Sequence, residues 1–338
     1  MSNVVRWLFV GALASTGLAL LSVALSAQES QPSTAASVEH GQQDIYYVWR
    51  DGSRLGHGEN PYDAILSGNM EENRKYPTYF PLLYVLVAGA HRLGVVGFHD
   101  WLRLWRPLVL VSHLGIGVLL LVGCWRSGHP VLGIFAALFW SLNRWTLYVV
   151  KVAHVDFPAI LFLVASLLIF DTWRRTSFIL FGLSLAFKQI AIFATPLYMI
   201  WAWRSTRQPS ERVGATARAA AWIALVPTLV SLPFLIWNGE AFVRSILFSA
   251  TRDPDSHVAA ISIDAKLGLL GPVGRLPMLL VMSLVFVATA RGEIGRYLSV
   301  LLILATFVDF NSVFYLQYVA WLVPLVVLAS QDRGHRRP

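Results

Sequence analysis

The sequence predicts an all-α fold: a polytopic transmembrane helical bundle of about ten spans with two large extracytoplasmic loops. Three observations carry that prediction. Charged residues make up 14% of the 338-residue chain and hydrophobic residues 56%, whereas a soluble domain carries about 25% charged residues. The apolar residues fall into long blocks, and about 20 such residues in a helix cross a hydrocarbon core about 30 Å thick. The basic residues, which set the net charge at +8, form short clusters between those blocks, as in cytoplasmic loops. That clustering argues against nucleic acid as a partner. The single cysteine, Cys124, excludes disulfides within the chain and a Cys-based metal site.

Ten apolar blocks lie near 4–27, 77–96, 107–124, 131–149, 157–172, 177–203, 219–237, 272–290, 297–309 and 313–330. A cleaved signal has an apolar stretch of about 7–15 residues. The first block runs past 20, so it reads as an uncleaved span with the N-terminus inside. Under that count Arg103 and Arg106, then Arg204, Arg207, Arg212 and Arg218, then Arg291 and Arg296, fall in cytoplasmic gaps. The basic tail 331–338, with Arg333, Arg336 and Arg337, also comes out inside. Arg126, Arg174 and Arg175 fall outside, against the rule, and the count puts His154 and Asp156 inside.

The two extracytoplasmic loops are residues 28–75 and 238–271, longer than a simple connection needs. Ser30 to Ser37 is small and polar, a linker. Beyond it, Ile45, Val48, Trp49 and Leu55 are spaced to share one helical face, which suits a short helix lying on the membrane surface. Gly56, Gly58 and Asn60-Pro61 end it with turn chemistry.

Polar groups in or beside a bilayer are costly, so each is a functional candidate. Asp44 opens the amphipathic stretch; it reads as a general base or as a helix N-cap. Lys188 lies eleven residues into the block 177–203. Its ammonium wants an anion: a lipid-borne phosphate, or a carboxylate of another helix such as Asp156 or Asp309. Pro196 is expected to kink or break the same helix. His154 and Asp156 form a polar pair at a helix start, with Pro158 in the first turn. A metal there would need a third ligand that the sequence does not offer, and Asp156 also reads as a plain N-cap. Arg252, on the second loop, is a phosphate ligand or a solvated side chain. Asp309, Asn311, Gln317 and Tyr318 gather hydrogen-bonding groups around the last outer turn, for sugar hydroxyls or for a helix contact.

Asp44 is followed by Gly58-Glu59-Asn60-Pro61-Tyr62 and by Tyr76-Pro77-Thr78-Tyr79-Phe80-Pro81. In that order they resemble the bacterial polyprenyl-phosphate-mannose-dependent branch of the GT-C membrane glycosyltransferases. Phe187-Lys188-Gln189 with Pro196 is similar to a segment of the glucosyltransferases that extend dolichol-linked oligosaccharides. Phe310-Asn311, Gln317-Tyr318 and Trp321 resemble a segment of the first mannosyltransferase of GPI-anchor assembly. These short motifs are spread over positions 44 to 324.

The resemblance implies a GT-C-like domain over residues 1–330. It implies an inverting enzyme that moves a hexose or pentose, mannose favoured, from a polyprenyl-phosphate donor to a lipid, glycan or protein acceptor outside the cytoplasm. Asp44 is then the catalytic base, and Lys188 and Arg252 face the donor phosphate. Tyr62, His154, Asp156, Gln189, Asn311, Gln317 and Tyr318 are substrate-binding. No metal or other cofactor is implied. The chain has a shorter motif at His154-Val155-Asp156, fewer spans and no soluble C-terminal domain compared with most such relatives. A transporter or lipid flippase, and an inactive GT-C-like accessory protein, are the rival readings.

Overall fold

A computed structural model of the chain describes residues 44–67, 76–251, 263–268, 274–311 and 315–332. The first apolar block, the linker, Arg252 and Arg333 onward lie outside the described residues. Among those described, every regular element is helical and there is no strand. The helices are α1 (Asp44–Gly56), α2 (Ala64–Ser67), α3 (Leu82–Arg92), α4 (Phe98–Arg126), α5 (Pro130–Leu142), α6 (Arg144–Lys151) and α7 (Asp156–Ile169). They continue with α8 (Arg174–Phe187), α9 (Thr195–Arg204), α10 (Arg212–Thr251), α11 (Ile263–Leu267), α12 (Leu276–Arg291), α13 (Arg296–Asp309) and α14 (Leu316–Ala329).

Helix α1 forms where the spacing of Ile45 and Val48 asked for it. Both side chains are fully buried, while Trp49 and Leu55 pack half-buried against the core. Its partner is α3, which lies alongside. Gly52 makes the approach possible: a Cβ there would sit 2.4 Å from Val87 Cβ. Helix α3 corrects the block 77–96, for it has only 11 residues and is about 16 Å long, half a hydrocarbon core.

Three other apolar blocks are also divided differently from the hydropathy reading. Asn143 ends α5 and caps α6, accepting from the Trp145 and Thr146 amides at 3.0 and 3.1 Å. The block 177–203 breaks at Lys188, whose backbone is extended (φ −159°, ψ 125°), while Pro196 sits harmlessly in the first turn of α9. Helix α10 runs on to Thr251 through a kink at Asn238 (φ −155°, ψ 86°). Much of the expected second loop is therefore helical. The Asn238 amide donates to Asp63 at 2.8 Å, tying that kink to the segment after α1.

The central helices are joined by side chain to backbone hydrogen bonds as well as by apolar contact. Ser184 Oγ donates to the Ala159 carbonyl and Ser177 Oγ to the Ser166 carbonyl, both at 2.7 Å, pinning α8 to α7. Gly182 lets α8 cross α10 closely, since a Cβ there would meet the Ile223 carbonyl at 2.2 Å. At the other end of α7, Arg296 of α13 reaches Asp171 at 2.6 Å. Two stretches, Phe98–Arg126 and Pro209–Phe248, are long and apolar enough to cross a membrane; five further apolar helices are shorter. The outer faces carry large apolar side chains: Phe135 of α5, Leu229 of α10 and Leu284 of α12 are each more than 60% exposed.

Candidate functional site

Five chain segments meet at one end of the bundle and bring four ionisable groups into contact. The Asp44 carboxylate comes from the first residue of α1. His154 and Asp156 come from the junction of α6 and α7, and Lys188 from the break after α8. His154 Nε2 lies 2.9 Å from Asp44 Oδ2, and its Nδ1 lies 3.2 Å from Asp156 Oδ2. The Lys188 ammonium is hydrogen-bonded to Asp156 Oδ1 and lies 3.8 Å from Asp44 Oδ2. A fourth segment, α14, supplies Trp321, whose Nε1 donates to Asp156 Oδ2 at 2.9 Å, and Gln317, 3.4 Å from His154 Nε2; the fifth is the segment 76–81.

Local chain geometry aims each group. Helix α6 ends in a tight turn: Ala153 takes a positive φ of 49°, and the His154 amide donates back to Val149 O at 3.0 Å. Trp105 Nε1 holds the Ala153 carbonyl at 2.9 Å. A non-glycine residue in that region costs about 1 kcal/mol or more, and the turn directs His154 at Asp44. Lys188 follows the last residue of α8 with an extended backbone, and its ammonium meets Asp156.

Tyr79, between the two prolines of the segment 76–81, donates its hydroxyl to Asp44 Oδ2 at 2.8 Å. Desolvation holds that phenol well above its ordinary range, so it remains a donor. The contacts to Asp44 from Tyr79, His154 and Lys188 thus converge on one carboxylate oxygen.

The arrangement reports on the candidates one by one. Asp44, Lys188, His154, Asp156 and Gln317 share the cluster. The span count had put His154 and Asp156 on the opposite face from Asp44; the 2.9 Å contact between His154 and Asp44 overturns that. The count took the block 77–96 as a span, whereas the helix there, α3, has only 11 residues. Asp156 is not an N-cap, since it lies inside the first turn and makes no capping bond. Lys188 makes the ion pair with Asp156 that the sequence left open as one alternative.

The remaining candidates lie around this cluster. Tyr62 and Gln189 lie one layer back and hold the strap that carries Tyr79. The Tyr62 hydroxyl donates to the Tyr79 carbonyl at 2.7 Å, and Gln189 donates to the Thr78 carbonyl. Tyr318 packs its ring 4.2 Å from that of Trp321. Asn311 is partly buried just beyond α13, and Arg252 lies outside the described residues. Tyr79 and Trp321 were not picked out as site residues. The signal for each was available: an aromatic between two prolines, and an aromatic four residues after Gln317 on one helical face.

Burial grades through the cluster. The side chain of Asp156 is fully buried, His154 and Lys188 are 6% and 8% exposed, and Asp44 is 15% exposed. Asp44 is the outermost of the four. The two ring nitrogens of His154 face one carboxylate each, Asp44 across Nε2 and Asp156 across Nδ1. The cation facing both carboxylates is the Lys188 ammonium, and among the described residues no group of three or more His, Cys, Asp or Glu is arranged to hold a metal. No family model, curated protein or solved structure matches this chain.

Proposed function

We propose that the protein is an inverting membrane glycosyltransferase that takes its sugar from a polyprenyl-phosphate donor, with Asp44 as the general base. One observation carries the reading: the outermost carboxylate of a buried ionisable cluster is braced on one oxygen by a phenol and an imidazole, with an ammonium 3.8 Å away. Asp44 accepts the proton of an acceptor hydroxyl, whose oxygen forms a bond to the anomeric carbon. The bond from that carbon to the phosphate oxygen breaks, and the electron pair leaves with the lipid phosphate. Lys188 has three N–H donors and Asp156 takes one, so the ammonium also serves to neutralise the departing phosphate. Arg252 is the second candidate for that task. His154 and Asp156 are positioning residues in this scheme, while Gln317, Tyr318 and Asn311 border the sugar.

The bundle is read as ten spans in a revised set. The first block, α4, α5, α7, α8, α9 together with the 3₁₀ helix Gln189–Ala194 that leads into it, the first part of α10, α12, α13 and α14 are assigned as crossing; α1, α3 and α6 are assigned to the outer surface. Several of these spans have only 14 residues, about 21 Å. Arg126, Arg174 and Arg175 then join the other inside arginines, and Arg103 and Arg106 both pass to the outer end, Arg103 beside Asp100, 3.1 Å away. The exposed apolar faces support the same reading.

The test supplies purified protein with polyprenyl-phosphate mannose, glucose or arabinose together with lipid and glycan acceptors. The expected result is transfer from one donor with inversion at the anomeric carbon, alongside release of polyprenyl phosphate. Retention of configuration, or no transfer from any donor, refutes the proposal; movement of the intact lipid across a vesicle would favour a flippase.

A further inference from the structure

At the end of the bundle away from Asp44 lies a cleft of ≈ 400 Å³ between the start of α8, the end of α9 and the start of α10. Arg174, Arg175, Arg207 and Arg218 line it, with Glu211 as the one carboxylate. None of the five forms an ion pair among the described residues, so the lining carries a formal charge of +3. The Arg175 guanidinium is held in place 3.8 Å over the Trp222 ring. Two of the arginines also sit where a helix least favours them. Helix α8 has no side-chain cap and no acidic residue in its first turn, and Arg174 and Arg175 occupy that turn. The positive end of a helix dipole favours an anion and opposes a cation. Four guanidiniums around one opening, two of them on that positive end, form a receptor for phosphate oxygens.

We propose that this cleft binds the phosphate headgroup of an anionic membrane lipid. Two features favour a lipid over a soluble phosphate. Phe178 and Trp222 give the cleft an apolar wall beside its charges. The helices that frame it carry exposed apolar residues such as Leu225 and Leu229 farther along α10, where acyl chains would lie. Helix α8 has 14 residues between cleft and catalytic cluster, about 21 Å, so this lipid is not the sugar donor. The inference rests on the membrane-spanning reading and not on the sugar chemistry.

The test titrates the detergent-purified protein with phosphatidylglycerol, with phosphatidylcholine of the same chains, and with inorganic phosphate. Native mass spectrometry counts bound molecules, and melting temperature is read in parallel. Wild type is expected to retain phosphatidylglycerol and to melt higher with it. Arg175→Gln/Arg218→Gln should retain it roughly 30-fold more weakly, while the control pair Arg126→Gln/Arg291→Gln, neither of which lines the cleft, should behave as wild type. Equal loss in both pairs, or no loss in the first, overturns the site. Equal retention of phosphatidylcholine overturns the anionic headgroup, and equal stabilisation by inorganic phosphate overturns the lipid. If the first pair fails to fold, Arg218→Lys keeps the charge and loses the planar fork; unchanged lipid retention in that variant counts against the proposal.

Discussion

Lys188 and Asp156 are 32 residues apart in the chain, and their ion pair is buried. Removing one partner of such a pair leaves an uncompensated charge and costs about 3–5 kcal/mol. Lys188→Met should therefore lower thermal stability sharply, and adding Asp156→Asn should recover most of the loss without restoring transfer. A double variant as unstable as the single one would show that charge balance is not what holds the cluster. Asp51 makes a second prediction. It is buried in α1 beside Arg50, and burial lifts its carboxyl to about 6 even though the Arg50 charge pulls it down. A raised carboxyl favours the folded state below the ordinary carboxylate range, and that contribution is lost as pH rises through about 6. Asp51→Asn should thus melt above wild type at pH 7.5, by up to roughly 3 kcal/mol of stability, with no difference near pH 4. A gap that persists at pH 4 would contradict this.

Helices are where reading from sequence succeeded and failed most visibly. The extent of α1 was legible, because Ile45 and Val48 set a local period and Gly56 ends it. The break at Lys188 was not. The run from Ser177 to Trp203 is almost unbroken in hydropathy, Pro196 pointed to the wrong residue, and the carboxylate that Lys188 meets is on another helix. Asp44 was likewise legible as the start of an element, while its contacts with Tyr79 and His154 are long-range pairings that no local pattern carries. The close crossing of α1 and α3 gives a test at this scale. Gly52→Val pushes a branched side chain into Val87 and should displace α1, with Asp44 at its head, and abolish transfer while the rest of the bundle stays helical. Gly89→Ala on α3, where an added Cβ meets nothing within 4 Å, should leave transfer and melting unchanged. Full activity in Gly52→Val would mean that α1 need not dock to work.

At the scale of the whole molecule, the proposed topology gathers the arginines of the short connections at the end away from Asp44, while Arg50, Arg54, Arg92, Arg103, Arg106 and Arg144 belong to its side. Arg126, Arg174, Arg175, Arg204, Arg291 and Arg296 close one end of the bundle, and the cluster around Asp44 occupies the other. Positive-inside orientation then predicts which end meets the cytoplasm. With Cys124 replaced by serine, a cysteine at Glu59 or Leu93 should react with an impermeant maleimide added to intact cells. A cysteine at Gln208 should react only after permeabilisation, and the reverse pattern would invert the topology.

The central claim is that Asp44 is the base of a sugar transfer, and Asp44→Asn measures it most directly. Asparagine keeps the side-chain size and can still meet Tyr79, but it cannot take a proton. Transfer from the donor that wild type uses should fall about 10²–10⁴-fold, with donor retention and melting temperature close to wild type. Transfer at the wild-type rate in that variant would contradict the account.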